Sequence, residues 1–369
     1  MSILPIYFIG QCLSLDEHPT FRETIIAQFS DPGYDWNSFI WTCSNHLVLP
    51  VIYLKLKKHD LLGYLPEVLA QHLNDIYSLN RKRNVQILEQ VKEINATLNA
   101  AGISPTYLKG TGNLIDGVYE DIGERIIGDI DFLVPETKYL KAAELLKKEE
   151  YAICIPTNLP SDQRRRHHYP RLWKADAVAD IEIHRQPVIR KYETSFSADF
   201  VLQDKKAVAD YPGCYVPCDE HKIIHNFVHS QLTNAGHRLG IVSLRDIYDL
   251  YRFSLRTNIT SILPQTQSPK KAAAYFEIAY LLLGLPGSEK NTLTSNVFIW
   301  KHNLNLSSPI FNKTNRILWT IWWVVVNGFL KQFKELIIYK EDRNLFIQNL
   351  VSKNWYVIHW QFYKKMING

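Results

Sequence analysis

The chain has 369 residues, 46% hydrophobic and 12% aromatic, enough apolar material for two or three domains, which excludes general disorder. Its 42 basic and 37 acidic residues leave a net charge of +5, a mild balance that suits a small anionic ligand as well as nucleic acid and selects neither. The cysteines Cys12, Cys43, Cys154, Cys214 and Cys218 are odd in number and scattered, which argues against a disulfide framework and for a reduced, cytoplasmic setting.

Residues 1–100 read as an N-terminal helical region. The opening MSILPIYFIG lacks a basic segment and a small-residue cleavage site, so it does not read as a signal peptide. Trp36 to Leu56 is densely apolar, and Pro50 should kink or split it. Leu69, Leu73, Ile76, Ile87, Val91, Ile94 and Leu98 recur at three- and four-residue steps, the mark of an amphipathic helix ending near Gly102. Asn80, Arg83 and Asn84 fall on or near the same stripe. They are expected to be a solvated interruption, with a patch reaching a cleft as the alternative.

Residues 101–205 read as an α/β core. Candidate strands are 103–108, 130–134, 151–155 and 178–184. A helix between the second and third has Thr137 as cap and Leu140, Ala143 and Leu146 as its apolar stripe. The polar, basic stretch 156–176 reads as a long loop, a common home for function. Residues 206–369 read as a C-terminal helical domain. One helix starts near Asp219 and runs to about Leu232. A second spans Ile241 to Phe253 with Leu244, Ile247, Tyr248 and Tyr251 inward. A Ser/Thr/Pro-rich loop covers 257–271, and helices are expected at 272–285, 312–339 and 342–366. The most apolar run, Ile317 to Leu330, is too short for a membrane span and is interrupted by Asn327 and Gly328, so it reads as a buried helix.

The stretch from Leu108 to Pro135 suggests chemistry. In GDIDFLV, Asp129 and Asp131 are two apart on a strand, so both carboxylates share a face while Ile130 and Phe132 take the other. Asp is disfavoured in strands, and paired carboxylates repel unless a cation lies between them. Mg²⁺, an oxygen-seeking ion, suits such a pair together with substrate phosphates. Downstream, Asp180, Glu182 and His184 alternate in the same way with Ile181 and Ile183. Glu182 is the candidate third acid, as metal ligand or general base, with Asp180 as competitor. His184 is a candidate to orient Glu182, ligate metal or contact substrate. Upstream, Lys109, Gly110, Thr111 and Gly112 form a glycine turn that precedes a helix over Asn113 to Tyr119 and offers backbone N–H groups to phosphate. Lys109 and Arg125 are the nearest cations. Arg125 has a local ion pair with Asp121 or Glu124 as its structural alternative.

These motifs resemble the nucleotidyltransferase superfamily, of the Pol-beta-like fold. More closely, they resemble bacterial nucleotidyltransferase-like proteins with an LKG turn, an Arg, a GDIDLLV strand and an acid-x-His strand. The matching elements are Leu108-Lys109-Gly110, Arg125, Gly128 to Val134 and Asp180 to His184, and the likeness extends more weakly over residues 30 to 255. Thr111 stands where superfamily members usually carry Ser or Gly. The resemblance implies an α+β fold: a small mixed β-sheet core flanked by N-terminal helices and a C-terminal helical domain. It implies transfer of a nucleoside monophosphate from a nucleoside triphosphate to an acceptor hydroxyl, with release of pyrophosphate and with Mg²⁺ or Mn²⁺ as cofactor. Asp129, Asp131 and Glu182 would be catalytic and metal-binding, and Lys109, Gly110, Thr111 and Arg125 nucleotide-binding.

The acceptor is open: a small molecule, RNA or a protein. A basic cluster at Arg164, Arg165, Arg166, His167 and His168, with Arg171 and Lys174, could close over the triphosphate or hold RNA, and Tyr169 and Trp173 could stack on a base. His221, His225 and His229 share one helix stripe, and with Cys214 and Cys218 they raise a zinc site whose spacing is far shorter than in zinc fingers. They read better as residues lining or packing in the cleft between domains. His184, Arg166 and His229 are candidate substrate contacts. A nucleotide-binding protein without turnover is the non-enzymatic alternative.

Overall fold

Proline placement divides the N-terminal helices. The computed structural model describes residues 4–154, 166–285 and 292–326, together with Val357, Trp360, Gln361 and Lys364. Helices α1 (Pro5–Leu13), α2 (Phe21–Phe29), α3 (Trp36–Asn45) and α4 (Leu49–Lys58) precede α5 (Glu67–Ala100), a helix of 34 residues. Pro50 lies in the first turn of α4, where its missing N–H costs nothing, and so splits the apolar stretch as expected. The apolar stripe of α5 is buried from Leu69 to Leu98. The polar residues on that stripe are not solvated, contrary to expectation. Asn80 and Asn84 are buried, and their amides donate to the carbonyls of Ile122, Gly123 and Arg125. Arg83 donates to the carbonyls of Ile127, Gly128 and Val178. A buried carbonyl needs a donor, and α5 supplies it to the loop entering the first acidic strand.

The sheet has seven strands in the order β3-β4-β5-β2-β1-β7-β6. These are β1 (Thr106–Tyr107), β2 (Asp129–Leu133), β3 (Ala152–Ile153), β4 (Leu172–Trp173), β5 (Asp180–His184), β6 (Lys206–Ala207) and β7 (Tyr215–Val216). At its centre β2 and β5 run parallel, while β1 pairs antiparallel with β2 and parallel with β7, so the sheet is mixed and the fold is α+β. Helices α6 (Lys109–Ile115), α7 (Glu136–Lys148) and α8 (Ala198–Gln203) connect the strands. Three details of the sequence reading change. β4 lies inside the stretch read as loop. The N-cap of α7 is Pro135 rather than Thr137. Its inward stripe is Tyr139, Ala142, Ala143 and Leu146, while Leu140 is exposed. The sheet also continues past residue 205 through β6 and β7.

The C-terminal helices are α9 (Asp219–Phe227), which continues as a π-helical segment over Val228–Thr233, then α10 (Gly236–Leu239), α11 (Leu244–Ser254), α12 (Pro269–Leu282), α13 (Leu293–Ser307) and α14 (Pro309–Trp323). The four residues expected inward on α11 are all buried. Within the expected 257–271 loop, Ile259–Gln265 forms a 3₁₀ segment, and α13 has no counterpart in the sequence reading. Of α14, Thr320 is buried while Leu318 and Ile321 are exposed, so the described part of the Ile317–Leu330 run is not the buried helix its composition suggests. Residues 327–330 and most of the helix expected at 342–366 lie outside the described residues. Among the described residues no helix is long and apolar enough to cross a membrane. All five cysteines are free thiols.

Candidate functional site

The parallel register of β2 and β5 sets Asp129 beside Asp180, Asp131 beside Glu182 and Leu133 beside His184. Because side chains alternate, the acids of both strands share one face, while Ile130, Phe132, Ile181 and Ile183 are fully buried on the other. Asp131 is the most enclosed acid, 1% exposed. Its Oδ1 accepts from Lys109 Nζ at 2.7 Å and lies 2.8 Å from His184 Nε2. Glu182 Oε2 lies 3.7 Å from the same ring nitrogen and 4.0 Å from Lys109 Nζ. The other cation is Arg171, next to β4. Its Nη2 donates to Asp129 Oδ2 at 2.9 Å and Glu182 Oε1 at 2.6 Å, its Nε also donates to Glu182, and its Nη1 stands 3.9 Å from Asp180.

The electrostatics of the cluster separate its members. Burial opposes ionisation of Asp131, but Lys109 and His184 outweigh it and hold the carboxyl well below its usual range. Glu182 balances burial against hydrogen bonding from His184 and the Lys109 charge, and falls to about 2. Asp129 goes the other way: burial and then the charge of Asp131 push it up to about 6. Burial would lower His184, yet hydrogen bonds to Asp131 and Glu182 raise it. The imidazole therefore favours keeping its Nε2 proton and donating to Asp131, which makes it an orienting donor more than a metal ligand. Four carboxylates thus face Lys109, Arg171 and His184, and one of the four resists ionisation.

Lys109 reaches the cluster because of its backbone. It is a non-glycine residue at φ +49°, between the extended Leu108 and the rest of α6. Such a residue is strained unless its surroundings hold it there. Here Leu108 N–H donates to Asp131 C=O, and the Lys109 ammonium is clamped by the Asp131 carboxylate. The glycine turn is therefore the first turn of α6, which spans Lys109–Ile115 rather than starting at Asn113. Gly112 is required there, since a Cβ would stand 2.3 Å from the carbonyl oxygen of Tyr107. The Thr111 hydroxyl donates to Asp129 C=O at 3.0 Å, tying the turn to β2.

Beside Lys109 opens a pocket whose lining includes Asn113, Arg125, Lys222, His225, His229 and Arg245. The Arg125 guanidinium is spent on neighbours: Nε and Nη2 pair with the Asp249 carboxylate at 2.9 to 3.2 Å, and Nη1 donates to Ile126 C=O. Asp249 also accepts from the Tyr119 hydroxyl at 2.8 Å. The ion pair thus forms across α11 and not with Asp121 or Glu124. Glu124 instead caps the Glu120 and Asp121 N–H groups and accepts from the Tyr248 hydroxyl. Burial and the nearby Lys109 charge lower His225 well below its ordinary value and His229 to about 4, so both rings are neutral near pH 7.

The structure brings Lys109, Asp129, Asp131, Glu182 and His184 together, puts Gly110 and Thr111 at their edge, and sets Arg125 and His229 in the adjoining pocket. Arg166 sits farther along, its carbonyl accepting from Arg185 Nε. Arg164 and Arg165 lie outside the described residues. Tyr169 is buried against Tyr139 and is closed to base stacking, whereas Trp173 is exposed. His221 packs on Phe200, and only His225 and His229 of the histidine stripe reach the pocket. Sequence reasoning gave Asp249 no role, whereas it anchors Arg125; it read Arg171 only as part of a basic cluster and Arg83 only as part of the α5 stripe, whereas the first pairs with carboxylates and the second clamps the β2 entry. Among the described residues the group able to converge on one metal ion is Asp131, Glu182 and His184, whose ligand atoms lie within 4.8 Å of one another.

A family model described as "Uncharacterised nucleotidyltransferase" matches residues 32–283, more than half of the chain. No curated protein and no solved structure matches.

Proposed function

The chain belongs to this family of uncharacterised nucleotidyltransferases, and on that premise we propose that it moves a nucleoside monophosphate from a nucleoside triphosphate to an acceptor hydroxyl, releasing pyrophosphate, with a divalent cation at the β2–β5 face. The observation that carries the reading is the pairing of Asp131 with Glu182 across parallel strands, with Asp129 beside them pushed up to about 6. A purely structural sheet has no use for acids crowded until one resists ionisation. A site built for a cation does.

The residues present fit such an ion: Asp131 and Glu182 each bring a carboxylate oxygen, the two lying within 4.8 Å of each other. Asp131 and Glu182 would hold it, Asp129 would join them once ionised, and His184 would orient Asp131 from behind. When bound, Mg²⁺ or Mn²⁺ supplies positive charge to the phosphate oxygens and lowers the cost of in-line displacement. The chain's own part is positioning. Lys109, fixed by its backbone and by Asp131, offers an ammonium beside the acids for a triphosphate oxygen, and the tight 110–112 turn lets the chain approach closely. Arg125 acts here as the brace between the core and α11 that shapes the pocket. His229, neutral near pH 7, can accept a hydrogen bond from an acceptor hydroxyl entering beside Lys109. Clefts of this kind, where a core meets added helices, are usual ligand sites.

The test is turnover with each of the four ribonucleoside triphosphates, such as ATP, in Mg²⁺, read as pyrophosphate release or label transfer. Release by the wild type that disappears in Asp129→Ala/Asp131→Ala supports the enzyme. Tight metal-dependent binding with no release from any triphosphate, across small-molecule, RNA and protein acceptors, returns the non-catalytic alternative.

A further inference from the structure

Of the three donors that face the acids, two are fixed. His184 is 1% exposed at its side chain, and Lys109 is 25% exposed and held by Asp131. Arg171 differs. Its side chain is 45% exposed, while its backbone is anchored by the bond from Cys154 N–H to Arg171 C=O at 2.9 Å. The guanidinium bridges Asp129 and Glu182, the two acids flanking Asp131, and stands near Asp180 as well. It therefore sits on the oxygens that a divalent ion held between β2 and β5 would need.

We propose that Arg171 is the counter-ion of the empty-handed enzyme and a positioning residue of the loaded one. It neutralises Asp129 and Glu182 until a divalent cation takes those oxygens, then swings on its fixed backbone to the phosphate oxygens of the incoming nucleotide. This inference rests on the cation site proposed above. Three facts favour an exchange over a permanent bridge. A divalent ion brings more charge to the same carboxylates than a guanidinium does. Arg171 alone of the three donors is exposed enough to leave. A guanidinium released beside a triphosphate finds a fork-shaped partner of its own kind, so its charge is not left without an anion.

The exchange separates two affinities that a structural salt bridge would move together. In Arg171→Gln, Mn²⁺ alone should bind about fivefold more tightly, because a competing charge is gone. The α,β-methylene analogues of the nucleoside triphosphates, presented with Mn²⁺, should bind at least several-fold more weakly. Arg171→Lys should restore part of both. Mn²⁺ binding is read by electron paramagnetic resonance and analogue binding by calorimetry, on wild type, both variants and Asp131→Asn, with circular dichroism as the check on folding. Tighter Mn²⁺ with weaker analogue supports the proposal. Unchanged or weaker Mn²⁺ binding in Arg171→Gln, with binding lost in Asp131→Asn, overturns the exchange and leaves the cation site standing. Absence of Mn²⁺ binding in wild type overturns both.

Discussion

Two charge clusters lie on either side of Lys109, and they are built on opposite principles. Around Arg125 every charge has its partner: a bidentate guanidinium–carboxylate pair, a tyrosine hydroxyl on the same carboxylate and a carbonyl for the remaining nitrogen. On the β2–β5 face four carboxylates share Lys109, Arg171 and His184, and Asp129 is pushed up to about 6. Charge alone does not distinguish these clusters, since both have it. Balance does. The balanced cluster joins the core to α11, and the other, with more carboxylates than positive partners, is the one assigned to a ligand in the proposed function.

The largest effect should come from breaking the satisfied cluster. Arg125→Met leaves the Asp249 carboxylate buried without its cation and should cost about 3–5 kcal/mol of unfolding free energy in urea. The double variant Arg125→Met/Asp249→Leu should recover much of that loss, and failure to do so would mean that the pair is not self-contained. Next in size is the entry to β2. Asn84→Leu removes the donors to the Ile122 and Arg125 carbonyls and should cost about 1–3 kcal/mol, with a parallel loss of metal binding through the displaced Asp129.

The unsatisfied cluster should behave in the reverse sense. The folded Asp129 carboxyl lies above its ordinary value of 3.8, at about 6, so the native state holds its proton more strongly than the unfolded chain. Its contribution to stability is present in full below about pH 3.8 and is lost as pH rises through about 6. Asp129→Asn should therefore raise stability by about 1–2 kcal/mol at pH 7.5 without metal, seen as a higher midpoint in urea, even as it weakens metal binding. A destabilised Asp129→Asn would erase the contrast between the clusters. Metal affinity of the wild type should also fall as pH drops below about 6, where the proton competes for Asp129. The smallest effect belongs to Trp173→Ala, an exposed strand position, which should leave stability within about 0.5 kcal/mol. A large loss of RNA binding in that variant would point to a nucleic-acid acceptor.

How much of this was legible follows from the range of each interaction. Asp129, Asp131, Glu182 and His184 could be read because strand alternation is a local signal that needs no partner. The long stripe of α5 was legible for the same reason. Strands of two residues carry no period of their own: β1 and β3 were legible through the longer apolar runs that hold them, while β4, β6 and β7 left no trace in the pattern. Asn80 and Asn84 did leave one, four apart on an apolar stripe, and the cost of burying an unpaired amide suggested solvent. The loop carbonyls that satisfy them lie about forty residues away. Arg125 and Asp249 are separated by 124 residues, and no spacing rule links them. Arg171 was visible as one charge in a basic run, but its pairing with acids from two strands exists only once the sheet has formed.

The central claim is that the β2–β5 acids bind nucleotide through a divalent cation. The direct measurement is calorimetric titration of the four ribonucleoside triphosphates into the full chain, with Mg²⁺ and with EDTA, on wild type and on Asp129→Asn/Asp131→Asn. The account predicts saturable binding of at least one triphosphate in Mg²⁺, loss of it in EDTA and loss of it in the folded double variant. Binding that is the same in EDTA, or the same in the double variant, would contradict it and return the acids to a structural role.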